Sequence, residues 1–548
     1  MQCSSARTAM YRCGFARCWI FSSSTYTFND RGRAPVTLVE VRNVSSQAIL
    51  MGVDLGTSST RAVALDAQGT LRGVARVGDV PMAQRPGQGM AREGFLDAPL
   101  AAIRQALDDA RASPAQVSGI ALCGQMAGLC AVDAMGDPAT SCDAWLDLSC
   151  ASSVALLRSH EREIVARSGS QLIASHGARW LQIRQQQPDL YQRLCKLTVP
   201  SAVVAGRLCG LPGQAAFMDT TCLGFNCFAD VASGGWNLDL VRALALDPAH
   251  LPRVIEPWER VGGLTRDIAQ ALGLLQGTPV FAGCGDVAAT LLGAGVSVPG
   301  QLVDIAGTGS VFCAVRDDFS VDDQHHTLLT LRHCIPGLYY SAGYVGGGGL
   351  CCDWLESLRA EARPPQDVSA ALRERAQVPP LLFVPHMGGR HLPLFADMRG
   401  AFVGLTWQHG LADMQRAMVE ATAFEYAVFL EAIRGTGLRP VEGGVLVVGG
   451  GASSEVFNQV KADVLGLAYR RHGVFEAAAR GAALLAGHGA GVFTDLKQAA
   501  GRVTEAVNGV TLPGQSKHGL YQQRRQVYGR MLEALGPVFR DMARLPWM

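Results

Sequence analysis

Lysine is nearly missing from this chain. Of 48 basic residues only Lys196, Lys461, Lys497 and Lys517 are lysines, and none follows a glycine. A Walker-type phosphate loop, which depends on the lysine of Gly-Lys-Ser/Thr, is therefore excluded. Gly-x-Gly-x-x-Gly and Gly-x-Ser-x-Gly are also absent, which weakens the dinucleotide-binding and α/β-hydrolase readings. Charge of one sign is missing too: 48 basic against 47 acidic residues leave a formal charge of +1 and no basic field for a nucleic-acid backbone. No apolar run approaches the ~18 residues of a membrane span, so the chain reads as soluble. The 16 cysteines never fall at Cys-x-x-Cys spacing. They read as buried reduced thiols, with no zinc site and no disulfide framework, in a reducing cytoplasm.

What is present is length and glycine. At roughly 150 residues per domain, 548 residues suggest two large lobes, and 63 Gly with 25 Pro, without a fibrous period, suit many turns. Residues 1–50 differ from the rest: Arg7, Arg12 and Arg17 precede the first acid, Asp30, among Ser, Cys and aromatic residues. Two readings fit, an organellar transit segment or a mis-assigned start with translation from Met51, and both leave the segment disordered. From Ile49 the pattern reads strand, turn, strand, turn, strand, to Val77. Helical spacing of Leu100, Ile103 and Leu107 follows, then two short strands around Gly124-Gln125-Met126-Ala127. The expected class is α/β.

Val53-Asp54-Leu55-Gly56-Thr57-Ser58-Ser59 has a counterpart in Val303-Asp304-Ile305-Ala306-Gly307-Thr308-Gly309-Ser310. Each is an apolar strand, a turn of glycine and small hydroxyl residues, and a second apolar strand, which suggests a duplicated lobe. Such turns gather backbone N–H groups and hydroxyls at one point and can hold phosphate oxygens without lysine. Thr57, Ser58, Gly307 and Thr308 are the candidates, with an ordinary hairpin as the alternative. Asp54, beside the first turn, suits a magnesium ion held through water; a turn-capping aspartate fits equally. Asp286 follows the strand-like Val280-Phe281-Ala282-Gly283-Cys284-Gly285 and opens a helix. It is either a helix cap or the carboxylate that takes a proton from a substrate hydroxyl in phosphoryl transfer. Gly449-Gly450-Gly451 would let a flat ligand approach the backbone.

Together these pieces resemble the FGGY carbohydrate kinases, of the actin-like ATPase superfamily, over nearly everything after residue 50. The most specific stretch runs from Gly400-Ala401-Phe402-Val403-Gly404-Leu405 to Asp413-Met414-Gln415-Arg416-Ala417-Met418-Val419-Glu420, which is similar to the signature of the family's C-terminal lobe. The resemblance implies two actin-like (ribonuclease H-like) lobes: a sugar-binding one over 51–296 and a nucleotide-binding one over 297–548, with a cleft between them. It implies ATP and magnesium, Asp286 as general base and Asp54 as the aspartate assisting magnesium. Arg61 would lie near the transferred phosphate, with Gly349, Gly451 and Glu455 around the nucleoside. A homodimer is common among such proteins.

Likeness to xylulokinases rests on Gly124-Gln125-Met126, Trp145-Leu146-Asp147 and Gly388-Gly389-Arg390-His391-Leu392-Pro393. It implies Gln125, Met126 and Asp147 at the sugar. Three positions depart: Ala127 stands where xylulokinases have histidine, Val287 where they have asparagine, and Ser149 where arginine is common. A site without donors for particular hydroxyls rejects a highly hydroxylated acceptor. A deoxy-sugar, a polyol or a ketose in another pose is expected, with Asp147 and Asp219 as alternative contacts. The competing reading is an actin-like nucleotide-binding protein that has lost sugar chemistry. Finally, Leu520, Val527, Met531, Leu535 and Val538 form an apolar stripe expected to pack a C-terminal helix on its own lobe.

Overall fold

The computed structural model describes residues 47–78, 94–358, 379–502 and 507–546. The segment before residue 47, and with it the expectation of a disordered extension, lies outside the described residues. Alternating apolar residues build the expected meander of Ile49–Leu55, Ser59–Asp66 and Leu71–Gly78, paired antiparallel in sequence order. Ile49–Leu55 is buried along its whole length because it also pairs parallel with Val117–Gly124. Met51 is its third residue. Pro279–Gly285 then pairs parallel with Val117–Gly124, and Arg260–Gly263 closes the far edge of a six-stranded sheet.

The second sheet repeats this plan. Leu302–Ala306 and Ser310–Arg316 form the hairpin, Tyr339–Val345 extends it, and Val445–Val448 pairs parallel with Leu302–Ala306. Tyr469–His472 and Val507–Thr511 follow as Pro279–Gly285 and Arg260–Gly263 do in the first sheet, and Leu329–Arg332 adds a seventh strand. Matching order and matching strand directions support duplication better than the short turn motifs do.

Two helices join the halves. Asp286–Gly293 leaves the first sheet and Ala477–Gly489 leaves the second. They cross at backbone distance: a Cβ on Gly293 would lie 1.9 Å from the Ala477 carbonyl oxygen, and one on Gly481 would lie 2.0 Å from that of Ala289. Ala477–Gly489 also packs under the first sheet, where a Cβ on Gly52 would meet the Ala479 carbonyl oxygen at 1.9 Å. Ala479, Ala482, Ala483 and Leu484 are thereby buried in one core with Leu50, Val53 and Leu122.

Two expectations are corrected here. Cys130 and Cys142 form a disulfide. The chain folds back antiparallel on Cys130–Val132, with Asp143 N–H donating to Leu129 O at 2.9 Å and Ala139 N–H to Ala131 O at 2.8 Å. Twelve-residue spacing gives no motif from which to read that pairing. The other described cysteines are free. In the helix Gln515–Ala543 the buried residues are Tyr521, Tyr528, Met531, Gly536 and Phe539, whereas Leu520, Val527 and Val538 are exposed. The aromatic side of the helix wins the core because Tyr521 and Tyr528 also satisfy the buried carboxylates of Glu420 and Glu425. Among the described residues no helix is long and apolar enough to cross a membrane.

Candidate active site

A cavity of about 500 Å³ opens between the two sheets. The turn at Gly56, Thr57 and Ser58 lines it from one side and the turn at Gly307, Thr308 and Gly309 from the other. Both turns sit at the ends of the central hairpins, so the duplicated topology brings them face to face. Gly449 and Gly450 add a third stretch of bare backbone. Trp145 ties the turns together. Its indole N–H donates to the Thr57 hydroxyl at 3.2 Å, and its ring lies 3.0 Å from the point a Gly309 Cβ would occupy.

Asp54 closes the floor beside the first turn. Arg61 donates to its carboxylate at 3.2 Å and the Cys123 thiol lies 3.8 Å away. Burial raises the Asp54 carboxyl, and Arg61 opposes that rise. Arg61 also faces Glu476 at 3.4 Å. Asp286 stands on the same cavity wall at the start of its helix. Gly285, not Asp286, occupies the cap position, and the Asp286 carboxylate accepts the neighbouring Val287 N–H at 2.9 Å. Burial pushes the Asp286 carboxyl up to about 7, with the negative charge of Asp54 as the second cause.

The approach to Asp286 is held in place from below. Pro279–Gly285 carries a register shift between Phe281 and Cys284. Gly283 adopts φ +75° within it, and a Cβ there would lie 1.7 Å from the Leu122 carbonyl oxygen. Only glycine fits that bulge. Gly285 N–H donates to the Thr221 hydroxyl at 2.9 Å, and that hydroxyl in turn bonds the buried Asp219 carboxylate.

Sequence reasoning placed Asp54, Thr57, Ser58, Arg61, Gln125, Met126, Asp286, Gly307 and Thr308 at the site, and all nine line the cavity. Five other expected positions do not line it. The Asp147 carboxylate is held by Arg179 at 3.0 Å and by Ser149 N–H at 2.8 Å. Arg179 also donates to the Ser149 hydroxyl at 2.7 Å and pairs with Asp143 at 2.8 Å, so it brings a guanidinium to the place where Ser149 offers none. Asp219 acts behind the wall, through Thr221. Gly349 packs on the second turn, where a Cβ would lie 2.5 Å from the Gly307 carbonyl oxygen. Gly451 packs on Ala306, and Glu455 starts the helix Glu455–Leu465 outside the cavity.

Conversely, Arg76, Trp145, Phe475 and Glu476 line the cavity without having been singled out as site residues. Glu476 is a non-glycine residue at φ +49°, a backbone cost that is characteristic of functional positions. Burial raises its carboxyl and Arg61 opposes the rise. Nothing in its sequence neighbourhood marks it. Among the described residues no group of three or more His, Cys, Asp or Glu side chains is arranged to hold a metal by protein ligands alone. Asp54 and Asp286 are instead two carboxylates close enough for one charge to act on the other, with Arg61 paired to Asp54. That donor set fits a hard cation which keeps most of its waters.

Comparison with known proteins gives the family and the fold. Residues 49–293 match the N-terminal domain and residues 302–490 the C-terminal domain of the FGGY family of carbohydrate kinases. The chain is 27% identical to the xylulose kinase of Escherichia coli strain K12, over 89% of this chain and 99% of the relative. It is 29% identical to the autoinducer-2 kinase of Klebsiella pneumoniae subsp. pneumoniae, over 86% and 92%. The ligand-bound xylulose kinase of Lactobacillus acidophilus shares the fold, with a TM-score of 0.77 at 20% identity, covering 90% of this chain and 100% of that one.

Proposed function

Since the chain belongs to the FGGY family of carbohydrate kinases and is a carbohydrate kinase, we propose that it transfers the terminal phosphate of ATP to a hydroxyl of a small ketose-like sugar or polyol, with Asp286 as general base. The observation that carries this reading is that Asp286, Asp54 and both Gly/Thr turns line one cavity. A carboxyl near 7 is poised to accept a proton at neutral pH, because a general base works best when its pKa lies near the working pH. Asp286 therefore holds the acceptor hydroxyl and takes its proton as oxygen attacks phosphorus.

Backbone N–H groups of Gly56–Ser58 and Gly307–Gly309 cradle the phosphates from both sides, and Arg61 meets the charge on the group in flight. Magnesium, when bound with ATP, would neutralise phosphate charge, and Asp54 is the residue that would help hold it. Gly449 and Gly450 receive the nucleoside against bare backbone. The lobe at 51–296 takes the acceptor and that at 297–548 the nucleotide. The names of the curated relatives carry two different acceptors, xylulose and autoinducer-2, so they support phosphorylation of a small hydroxylated molecule without choosing one.

The test is ADP release by the full chain with ATP and magnesium, across pentuloses, deoxy-ketoses and polyols. The Asp286→Asn variant is expected to lose roughly 10²- to 10⁴-fold in acceptor-stimulated rate while still binding ATP. ATP binding without stimulation by any acceptor would favour the non-catalytic nucleotide-binding reading.

A further inference from the structure

The acceptor side of the cavity is built mainly from hydrocarbon. Ala127, Ile173, Phe225, Val287, Leu329 and Leu331 all line it, and they come from separate parts of the chain: the loop after Val117–Gly124, the segment before the helix His176–Gln186, the short turn of helix Leu223–Phe225, the helix that Asp286 starts, and the edge strand Leu329–Arg332. An apolar face assembled from so many elements is a wall, not one stray side chain.

The polar side chains on that side are mostly engaged with the protein. The Gln125 carboxamide accepts from Trp145 N–H at 3.0 Å and donates to Asp143 O at 3.2 Å. The Ser175 hydroxyl donates to Ala127 O at 3.4 Å, the Thr290 hydroxyl to Asp286 O at 2.8 Å, and the Trp145 indole to Thr57. Tyr344 lines the cavity, and its buried hydroxyl has no partner within the protein. Asp286, the second amide hydrogen of Gln125, the Tyr344 hydroxyl and His391 are left to meet an acceptor. His391 is a neutral imidazole, pushed down to about 3 by burial.

A pentulose carries a hydroxyl or carbonyl on every carbon, and each such group that enters the cavity must give up water for a protein partner. Asp286, His391, Gln125 and Tyr344 are fewer than the groups a pentulose brings. Resting on the kinase reading above, we infer that the preferred acceptor is a deoxy-ketose or deoxy-polyol, a molecule whose hydroxyls are confined to the end facing Asp286 and whose methyl or methylene carbons lie on the wall of Ala127, Ile173, Phe225, Val287, Leu329 and Leu331. Ala127 and Val287 are specificity-determining positions, since they are the wall residues nearest in sequence to Met126 and Asp286. The distinction is one of rate, not absolute exclusion, because an apolar pocket discriminates against an added hydroxyl by only about 10²-fold.

The experiment measures kcat/KM for the full chain at saturating ATP on matched pairs: D-xylulose and D-ribulose against their 1-, 3- and 4-deoxy counterparts. A deoxy member of at least one pair is expected to exceed its parent by on the order of 10²-fold. The Ala127→His and Val287→Asn variants, which put donors into the wall, are expected to narrow or reverse that ratio. Parents used as well as or better than every deoxy counterpart would overturn the inference while leaving the kinase reading intact. ADP release unmoved by either set would overturn the kinase reading, and the inference with it.

Discussion

Asp54 and Asp286 face one cavity, and repulsion from the Asp54 carboxylate adds to burial in pushing Asp286 up to about 7. The proton-accepting strength of Asp286 is thus set partly by a residue on the first strand of the chain, far from it in sequence.

This relationship fixes a pH dependence. Below about 7 the Asp286 carboxyl is protonated and cannot accept the hydroxyl proton; above it the carboxylate is available. Acceptor kcat/KM is expected to rise with pH through that region. In Asp54→Asn the like charge is gone, so the rising limb shifts to lower pH even though the rate itself falls. A pH–rate profile of the two proteins checks this, and an unmoved midpoint would contradict it. The same shift bears on stability. A carboxyl whose folded value is raised above its ordinary 3.8 costs the folded state nothing when both states are protonated. It costs progressively more as pH rises from 3.8 to about 7. Asp286→Asn is therefore expected to melt at a higher temperature than the parent at pH 8, with the difference fading toward pH 4.

Thr221 is expected to act on catalysis without touching substrate. Its hydroxyl takes the Gly285 N–H at 2.9 Å and is anchored by Asp219. Thr221→Val would leave that buried N–H without a partner, at a cost of about 1–3 kcal/mol, and free the loop that aims Asp286. Steady-state kinetics should show kcat falling more than acceptor KM rises. Thr221→Ser, which keeps the hydroxyl, should restore most of it.

Gly52 is expected to tolerate nothing larger. A Cβ there would lie 1.9 Å from the Ala479 carbonyl oxygen, so Gly52→Val must push the helix Ala477–Gly489 off the first sheet. The expected loss is about 3 kcal/mol or more, read by chemical denaturation. Since the same helix starts next to Glu476, ATP binding should weaken as well.

Much of this was legible in the sequence because it rests on local pattern. The meander from Ile49, the Gly/Thr turns and the strand running into Asp286 are each set by alternation and glycine placement, and the structure follows them. What escaped is set by packing. Glu476 enters the cavity because a helix crosses at glycine–alanine contacts, which no local motif announces. Asp147 leaves it because Arg179, distant in sequence, claims its carboxylate. Gly349 and Gly451 have a packing reason for lacking a side chain, close approach to Gly307 and Ala306, that local sequence does not announce. The C-terminal helix turned differently from its aliphatic stripe because Tyr521 and Tyr528 bring both ring area and a hydroxyl for buried Glu420 and Glu425. Disulfide pairing of Cys130 with Cys142 depended on a fold-back that spacing does not encode.

The measurement closest to the central claim is product analysis. The full chain and its Asp286→Asn variant are incubated with ATP, magnesium and the best acceptor, and phosphorylated acceptor is compared with ADP by mass spectrometry. The account predicts equal amounts of phosphorylated acceptor and ADP from the parent protein, and a loss of both, roughly 10²-fold or more, in the variant. ADP matched by free phosphate with no phosphorylated acceptor, or a variant that turns over like the parent, would contradict it.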